Sequence, residues 1–219
     1  AGLDALICRL PENVVYLTDY WPHHGFSVAV LPKDGKPLLF LPEIETEYAN
    51  PDWAEVIPFG WGLLKDADLY ENYRRLLGEA HTRLRLRKAR VGVEKSFEVV
   101  GSTYRSAEPV VPAAPWWHLL DDLFADANKV DATDLLQSAR AIKTDYQLGK
   151  LRVANEIAEM GMSEFLTKMQ PGMTEAQVGA MVEQKIRADG PGHKGARLVR
   201  ALCEVGAGPV GSTKGTLLV

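Results

Sequence analysis

Cysteine is nearly absent from this chain. Its two thiols, Cys8 and Cys203, stand far apart and in no metal-binding spacing. That excludes a disulfide-dense scaffold and a cysteine zinc site, and it fits free thiols in a reducing compartment. Long apolar runs are lacking too: none approaches the roughly 20 residues that span a bilayer. No basic segment followed by an apolar core stands at the start. A cytoplasmic protein is the resulting expectation. An excess of charge of one sign is also missing. With 25 Lys and Arg against 29 Asp and Glu, the net charge is −4. Neither nucleic acid nor a membrane is therefore expected as a partner. Internal repeats and low-complexity segments are absent as well.

What is present is a globular composition, 46% apolar and 25% charged over 219 residues. That length suits one large domain or two ordinary ones. The first part alternates strand and helix signals. Short apolar runs at 5–7, 27–31, 37–41 and 91–94 read as strands, and 129–131 as a last short one. Lys33-Asp34-Gly35-Lys36 sits between two of these runs. Asp-Gly flanked by apolar runs is a strong hairpin signal, because Gly takes the positive φ such a turn needs. Helical patterns cover 43–49, 70–80 and 116–125. The basic stretch 83–90 reads as a solvated helix end. Strands separated by helices argue an α/β layer fold.

Beyond residue 133 the chain becomes strongly helical, so the expected domains are 1–133 and 134–219. A short helix runs to Arg140, capped by Asp131 or Thr133. Thr144 with Gln147, and Thr174 with Gln177, have capping-box spacing. In such a box the Thr oxygen takes the amide three residues on and the Gln reaches back. The expected helices are 145–170 and 175–189, the second stopped by Gly190-Pro191-Gly192. Strands are expected at 197–205 and 215–219, joined by a tight turn at 206–211. The chain opens on Ala1-Gly2-Leu3-Asp4 without Met and closes on Thr216-Leu217-Leu218-Val219. It reads as a piece of a longer protein.

Five segments carry a family resemblance. Arg140-Ala141-Ile142-Lys143-Thr144, Leu151-Arg152-Val153-Ala154-Asn155 and Pro171-Gly172-Met173-Thr174-Glu175 resemble the entry to the catalytic domain of the creatinase, prolidase and aminopeptidase P family. Leu3-Asp4-Ala5-Leu6 and the stretch from Pro11 to Thr18 resemble the start of that family's N-terminal domain. The resemblance implies an α/β fold: a creatinase-type N-terminal domain, with a mixed sheet and flanking helices, followed by the first part of an α+β pita-bread domain.

It also implies a function. The parent would be a metal-dependent hydrolase resembling Xaa-Pro dipeptidase or aminopeptidase P, cleaving a peptide or small amide bond. Its two divalent ions, Mn, Zn or Co, would activate a bridging water. Their ligands would lie beyond Val219, so no metal ligand and no catalytic residue is assigned within this chain. No cofactor is expected in this chain, and the chain alone is expected to be inactive. Two alternatives stand: a creatinase-like or ectoine-hydrolase-like small-molecule hydrolase or lyase relative, and a non-catalytic pita-bread binding module. One departure bears on them. Peptidase members carry a His after a Gly-Pro-Asn-like turn, whereas Gly208-Pro209-Val210-Gly211 is followed here by Ser212-Thr213-Lys214.

The candidate substrate contacts are His23, His24 and Trp21. They lie in the loop Tyr20-Trp21-Pro22-His23-His24-Gly25, ahead of a strand. Loops on rigid scaffolds carry function more often than cores do. In the family this place reaches over the active site of a partner subunit, so a homodimer is expected. A loop packed by its own aromatics is the competing reading. His81 is expected to be solvated, His118 packed, and His193 in a surface loop. Trp53, Trp61, Trp116 and Trp117 are expected to pack between the domains.

Overall fold

The computed structural model describes residues 2–61, 68–95 and 114–206. They fall into two compact units, Ala1–Ile142 and Lys143–Val219.

The first unit is built on a six-stranded mixed sheet. In chain order its elements are β1 (Ala5–Cys8), α1 (Pro11–Thr18), β2 (Val28–Pro32), β3 (Leu38–Pro42), a 3₁₀ helix (Glu43–Tyr48), β4 (Glu55–Phe59), α2 (Leu69–Arg83), β5 (Arg90–Val93), α3 (Ala114–Leu123), β6 (Asn128–Asp131) and α4 (Thr133–Ala141). The strand order is β4-β3-β2-β1-β5-β6. The expected hairpin forms: β2 and β3 pair antiparallel, with Val30 opposite Leu38. β1 pairs antiparallel with β2 and parallel with β5. Both edge strands, β4 and β6, are added in parallel. Two elements were not expected from the sequence: the helix α1 and the edge strand β4.

Alternation along the strands feeds a core on each face. Ile7, Val30, Phe40 and Val93 join Tyr73, Leu77, Trp116 and Leu120 of α2 and α3 in one cluster. Their neighbours Ala29, Leu39 and Leu41 join Val14 and Tyr20 in another. A sheet covered on both faces explains why β3 reads Leu-Leu-Phe-Leu with no polar interruption. Each large side chain buried in this way contributes ~1.5–3 kcal/mol.

The helices start for different reasons. Asp68 caps α2, its Oδ1 accepting the amides of Tyr70 at 2.9 Å and Glu71 at 3.0 Å. Arg83 at the far end forms a bidentate pair with Glu55 of β4, both contacts at 2.6 Å. α4 belongs to the first unit. Leu136 packs with Cys8 and Ala132, and the Tyr16 hydroxyl donates to the Ala139 carbonyl at 3.2 Å.

The described part of the second unit is helical. Its main elements are α5 (Asp145–Lys168) and α6 (Glu175–Asp189). Both expected capping boxes are formed, Thr144 with Gln147 and Thr174 with Gln177. Ile157 of α5 and Val178 and Val182 of α6 are buried. The strand expected over 197–205 is not there. A strand exists only with a partner to complete its backbone hydrogen bonds. Here those groups find helix side chains instead. Arg187 donates to the Ala201 carbonyl at 2.9 Å, and Glu183 accepts the Cys203 amide at 2.9 Å. The expected strand 215–219 and nearly all of the 206–211 turn lie outside the described residues.

Candidate functional site: a buried carboxylate under the His23–His24 loop

The loop follows directly from the end of α1. Asp19 takes the left-handed conformation at φ 53°, and its amide returns to the Val15 carbonyl at 2.8 Å. Tyr20 then drops into the core, and Gly25 at φ 70° turns the chain toward β2. A positive φ at that turn favours glycine, which has no Cβ to clash.

Beneath the loop lies Glu45, on the 3₁₀ helix, with only 1% of its surface exposed. Its carboxylate gathers four donors. Oε2 accepts the Tyr20 hydroxyl and, at 3.1 Å, the His23 amide. Oε1 accepts the His24 amide at 3.2 Å and is bonded to His24 Nδ1. Ser27 Oγ donates to the Tyr20 hydroxyl oxygen at 3.3 Å, which ties the group to the lead-in of β2. Burying a carboxylate costs several kcal/mol, and charge-assisted hydrogen bonds of this kind offset that cost. Burial, reinforced by Glu45, pushes the Tyr20 phenol well above its ordinary range, so it stays a donor at neutral pH.

The structure brings two of the three sequence candidates together. The His23 ring packs on Tyr48 at 4.5 Å, and the His24 ring on Trp61 at 4.8 Å. Phe26 lies on Trp61 at 5.2 Å. Trp21 does not join them. It is 43% exposed, and among the described residues no hydrogen bond or ring contact links it to Glu45. Sequence reasoning missed Glu45. It lies between Ile44 and Thr46, and a simple reading buries the Ile and exposes the Glu. The structure does the reverse, with Ile44 52% exposed.

A second buried carboxylate stands at the C-terminal end of β5. Glu94 accepts the amides of Arg9 at 2.7 Å and Leu10 at 3.1 Å, and Asn13 Nδ2 at 2.6 Å. It thus serves the start of α1, where Leu10 supplies no side-chain cap. Burial pushes its carboxyl up to about 7, against the pull of those donors. Burial, and then Glu94 itself, raises the Cys8 thiol well above the ordinary range, so Cys8 is inert. The Arg9 guanidinium is stacked among Tyr73 and Trp116, each at 5.2 Å, and Tyr70 at 5.9 Å.

The other histidines and tryptophans differ in part from expectation. His118 is exposed, not packed, because Leu119 and Leu120 take the buried face of α3. His81 is partly buried, bonded to Asp126 at 3.1 Å and packed on Phe124. His193 is held by Glu156 at 2.7 Å, beside the Lys194–Glu156 pair. Trp116 and Trp61 pack inside the first unit.

The mixed sheet with its flanking helices is the architecture that the sequence resemblance implied. The profile of the Creatinase/Prolidase N-terminal domain matches residues 1–142. The chain belongs to that family. This creatinase/prolidase chain is 24% identical over 191 residues to an uncharacterized peptidase of Staphylococcus saprophyticus, covering 85% of this chain and 46% of the relative. It is 26% identical over 203 residues to an uncharacterized hydrolase/peptidase of Sinorhizobium fredii, covering 90% and 48%. It spans about half the length of the curated relatives it matches. Among solved structures, the X-Pro aminopeptidase from Thermotoga maritima superposes with a TM-score of 0.60 at 17% identity, over 85% of this chain and 47% of that one. The Xaa-Pro dipeptidase from Bacillus anthracis gives 0.57 at 17% identity, over 85% and 44%. At such identities the likeness fixes the fold.

The family implies a pair of divalent ions, and the described residues of this creatinase/prolidase chain do not fit them. No group of three or more His, Cys, Asp and Glu among them could hold a metal ion. Asp145 opens α5, and Asp189 at the end of α6 pairs with Lys185. These residues route no chemical step through a metal. Among the described residues, no helix is long and apolar enough to cross a membrane.

Proposed function

We propose that the protein to which this chain belongs is a hydrolase of the Xaa-Pro peptidase kind, acting on a small peptide or amide. In this reading the chain supplies the N-terminal domain and the opening of a pita-bread catalytic domain, and a dinuclear Mn, Zn or Co centre lies beyond Val219. The observation that carries the reading is the match of residues 1–142 to the Creatinase/Prolidase N-terminal domain, together with relatives named peptidase or hydrolase/peptidase.

Within it, the chain's own contribution is the His23–His24 loop. The protein is a homodimer, and this loop approaches the partner's active site. Glu45 supports that role, since a loop held to a buried carboxylate through two amides and a ring is rigid enough to contact a substrate. The test uses the full-length protein with added Mn and a panel of Xaa-Pro dipeptides. Hydrolysis is expected, and alanine at both His23 and His24 should depress turnover without a matching fall in melting temperature. Unchanged kinetics in that variant would remove the loop from the site.

A second reading is favoured by one observation. No His follows Gly208-Pro209-Val210-Gly211, where peptidase members of the family carry one. A creatinase-like hydrolase of another small amide accounts for that departure. The same panel, extended to non-peptide amides, separates the two.

A further inference from the structure

A carboxylate that is buried and meets four donors fixes the geometry of whatever supplies them. Around Glu45 those donors come from three residues, and two of the four belong to His24. The backbone and the ring of His24 are therefore held by one group. A neutral imidazole carries a single N–H. Nδ1 lies against an acceptor that already takes the Tyr20 hydroxyl and both loop amides, so the proton belongs on Nδ1. That leaves Nε2 as the ring's lone-pair nitrogen. Among the described residues it has no hydrogen-bond partner, and the His24 side chain is 34% exposed beside Trp61. Two features keep the carboxylate still. Tyr20 is fully buried and bonded to Ser27, and Glu45 itself is closed off from water.

We propose that Glu45 is the positioning residue of this site. It fixes His24 as the Nδ1–H tautomer and presents Nε2 as one immobile acceptor for an N–H donor of a small peptide or amide. The proposal rests on the reading of the His23–His24 loop as substrate-facing. Orientation of a histidine through its second nitrogen is a general device for setting what the first can do. Its signal in the sequence is weak, because the carboxylate follows the histidines by some twenty residues and comes from a different element.

Two arms test it. The first is ¹⁵N spectroscopy of the His24 ring in the 219-residue chain, at a pH where the ring is neutral. The expected spectrum shows Nδ1 protonated and Nε2 bare. Glu45→Leu should abolish this preference, because no acceptor then holds the proton on Nδ1. A wild-type ring protonated on Nε2, or one whose tautomer is indifferent to Glu45→Leu, overturns the proposal. The wild-type measurement alone can do so if the variant fails to fold. The second arm is kinetics of the full-length protein. Glu45→Leu should raise KM by about tenfold, the loss of one hydrogen bond to substrate, with kcat nearly held. Glu45→Asp, which keeps the acceptor, should recover part of it. The expected tautomer combined with unchanged kinetics in His24→Ala would instead overturn the substrate-facing reading, so the two failures are distinct.

Discussion

Gly161 of α5 lies directly against Ile186 of α6. A Cβ built on Gly161 would sit 2.6 Å from Ile186 Cδ1, 2.7 Å from its Cγ1 and 2.9 Å from Val182 Cγ1. Glycine in a helix interior costs up to ~1 kcal/mol relative to Ala. Here it is kept because the neighbouring side chains occupy the space. Ile and Val are β-branched and stiff, so they cannot swing aside freely. Gly161→Ala should therefore destabilise the second unit by ~1–2 kcal/mol despite its better helix propensity. Thermal unfolding followed by circular dichroism checks this. An unchanged or higher transition temperature would mean that the two helices separate without cost.

Glu94 predicts a pH dependence. Its carboxyl titrates near 7 in the folded chain, against an ordinary value of 4.5. Between those values the folded state holds the proton and the unfolded state has lost it. Stability then falls as pH rises, because the unfolded state binds fewer protons. The group's contribution is complete below the ordinary value and is lost as pH climbs through about 7. Its size is on the order of 3 kcal/mol. Glu94→Gln should flatten this part of the curve in denaturant melts across the window. Parallel curves for the two proteins would show that Glu94 is ionised throughout.

Thr174 is a structural cap. Its Oγ1 accepts the Gln177 amide at 3.2 Å, and its own amide donates to Gln177 Oε1 at 2.8 Å. Thr174→Ala should cost ~1 kcal/mol in the second unit. Catalysis by the full-length protein should be untouched once the protein is folded. A change in turnover with stability unaltered would show that the residue serves the chemistry.

Metal content is checked by dialysis and elemental analysis. A dinuclear centre needs several carboxylates converging on two ions. Residues 197–205 and 215–219 contain one acidic side chain, Glu204. The dialysed chain should carry well below one equivalent of Mn, Zn or Co. Close to two equivalents, with cleavage of an Xaa-Pro dipeptide, would place the ligands within these 219 residues.

Legibility in the sequence followed the range of the interaction. The capping boxes at Thr144 and Thr174 and the hairpin at Asp34-Gly35 were readable because each is settled within four residues. α1 was not, because its start is completed by Glu94, far along the chain. β4 was missed because Glu-Val-Ile-Pro-Phe alternates poorly and pairs on one side only, against β3. The strand expected over 197–205 failed for the opposite reason. Its apolar residues carry strand propensity, yet no neighbouring strand is described to complete its ladder.

The sequence by itself determined the α/β class, the family and the places where α5 and α6 begin, since caps, turns and period-two runs are local chemistry. It also put His23 and His24 in a loop ahead of a strand. Only the tertiary structure decided the strand order, the place of α4 in the first unit, and the Glu45 carboxylate under that loop. The physical reason is that burial of a charge carries no local signature. Whether Glu45 is solvated or surrounded by Tyr20, His23 and His24 depends on segments that meet only once the sheet has formed.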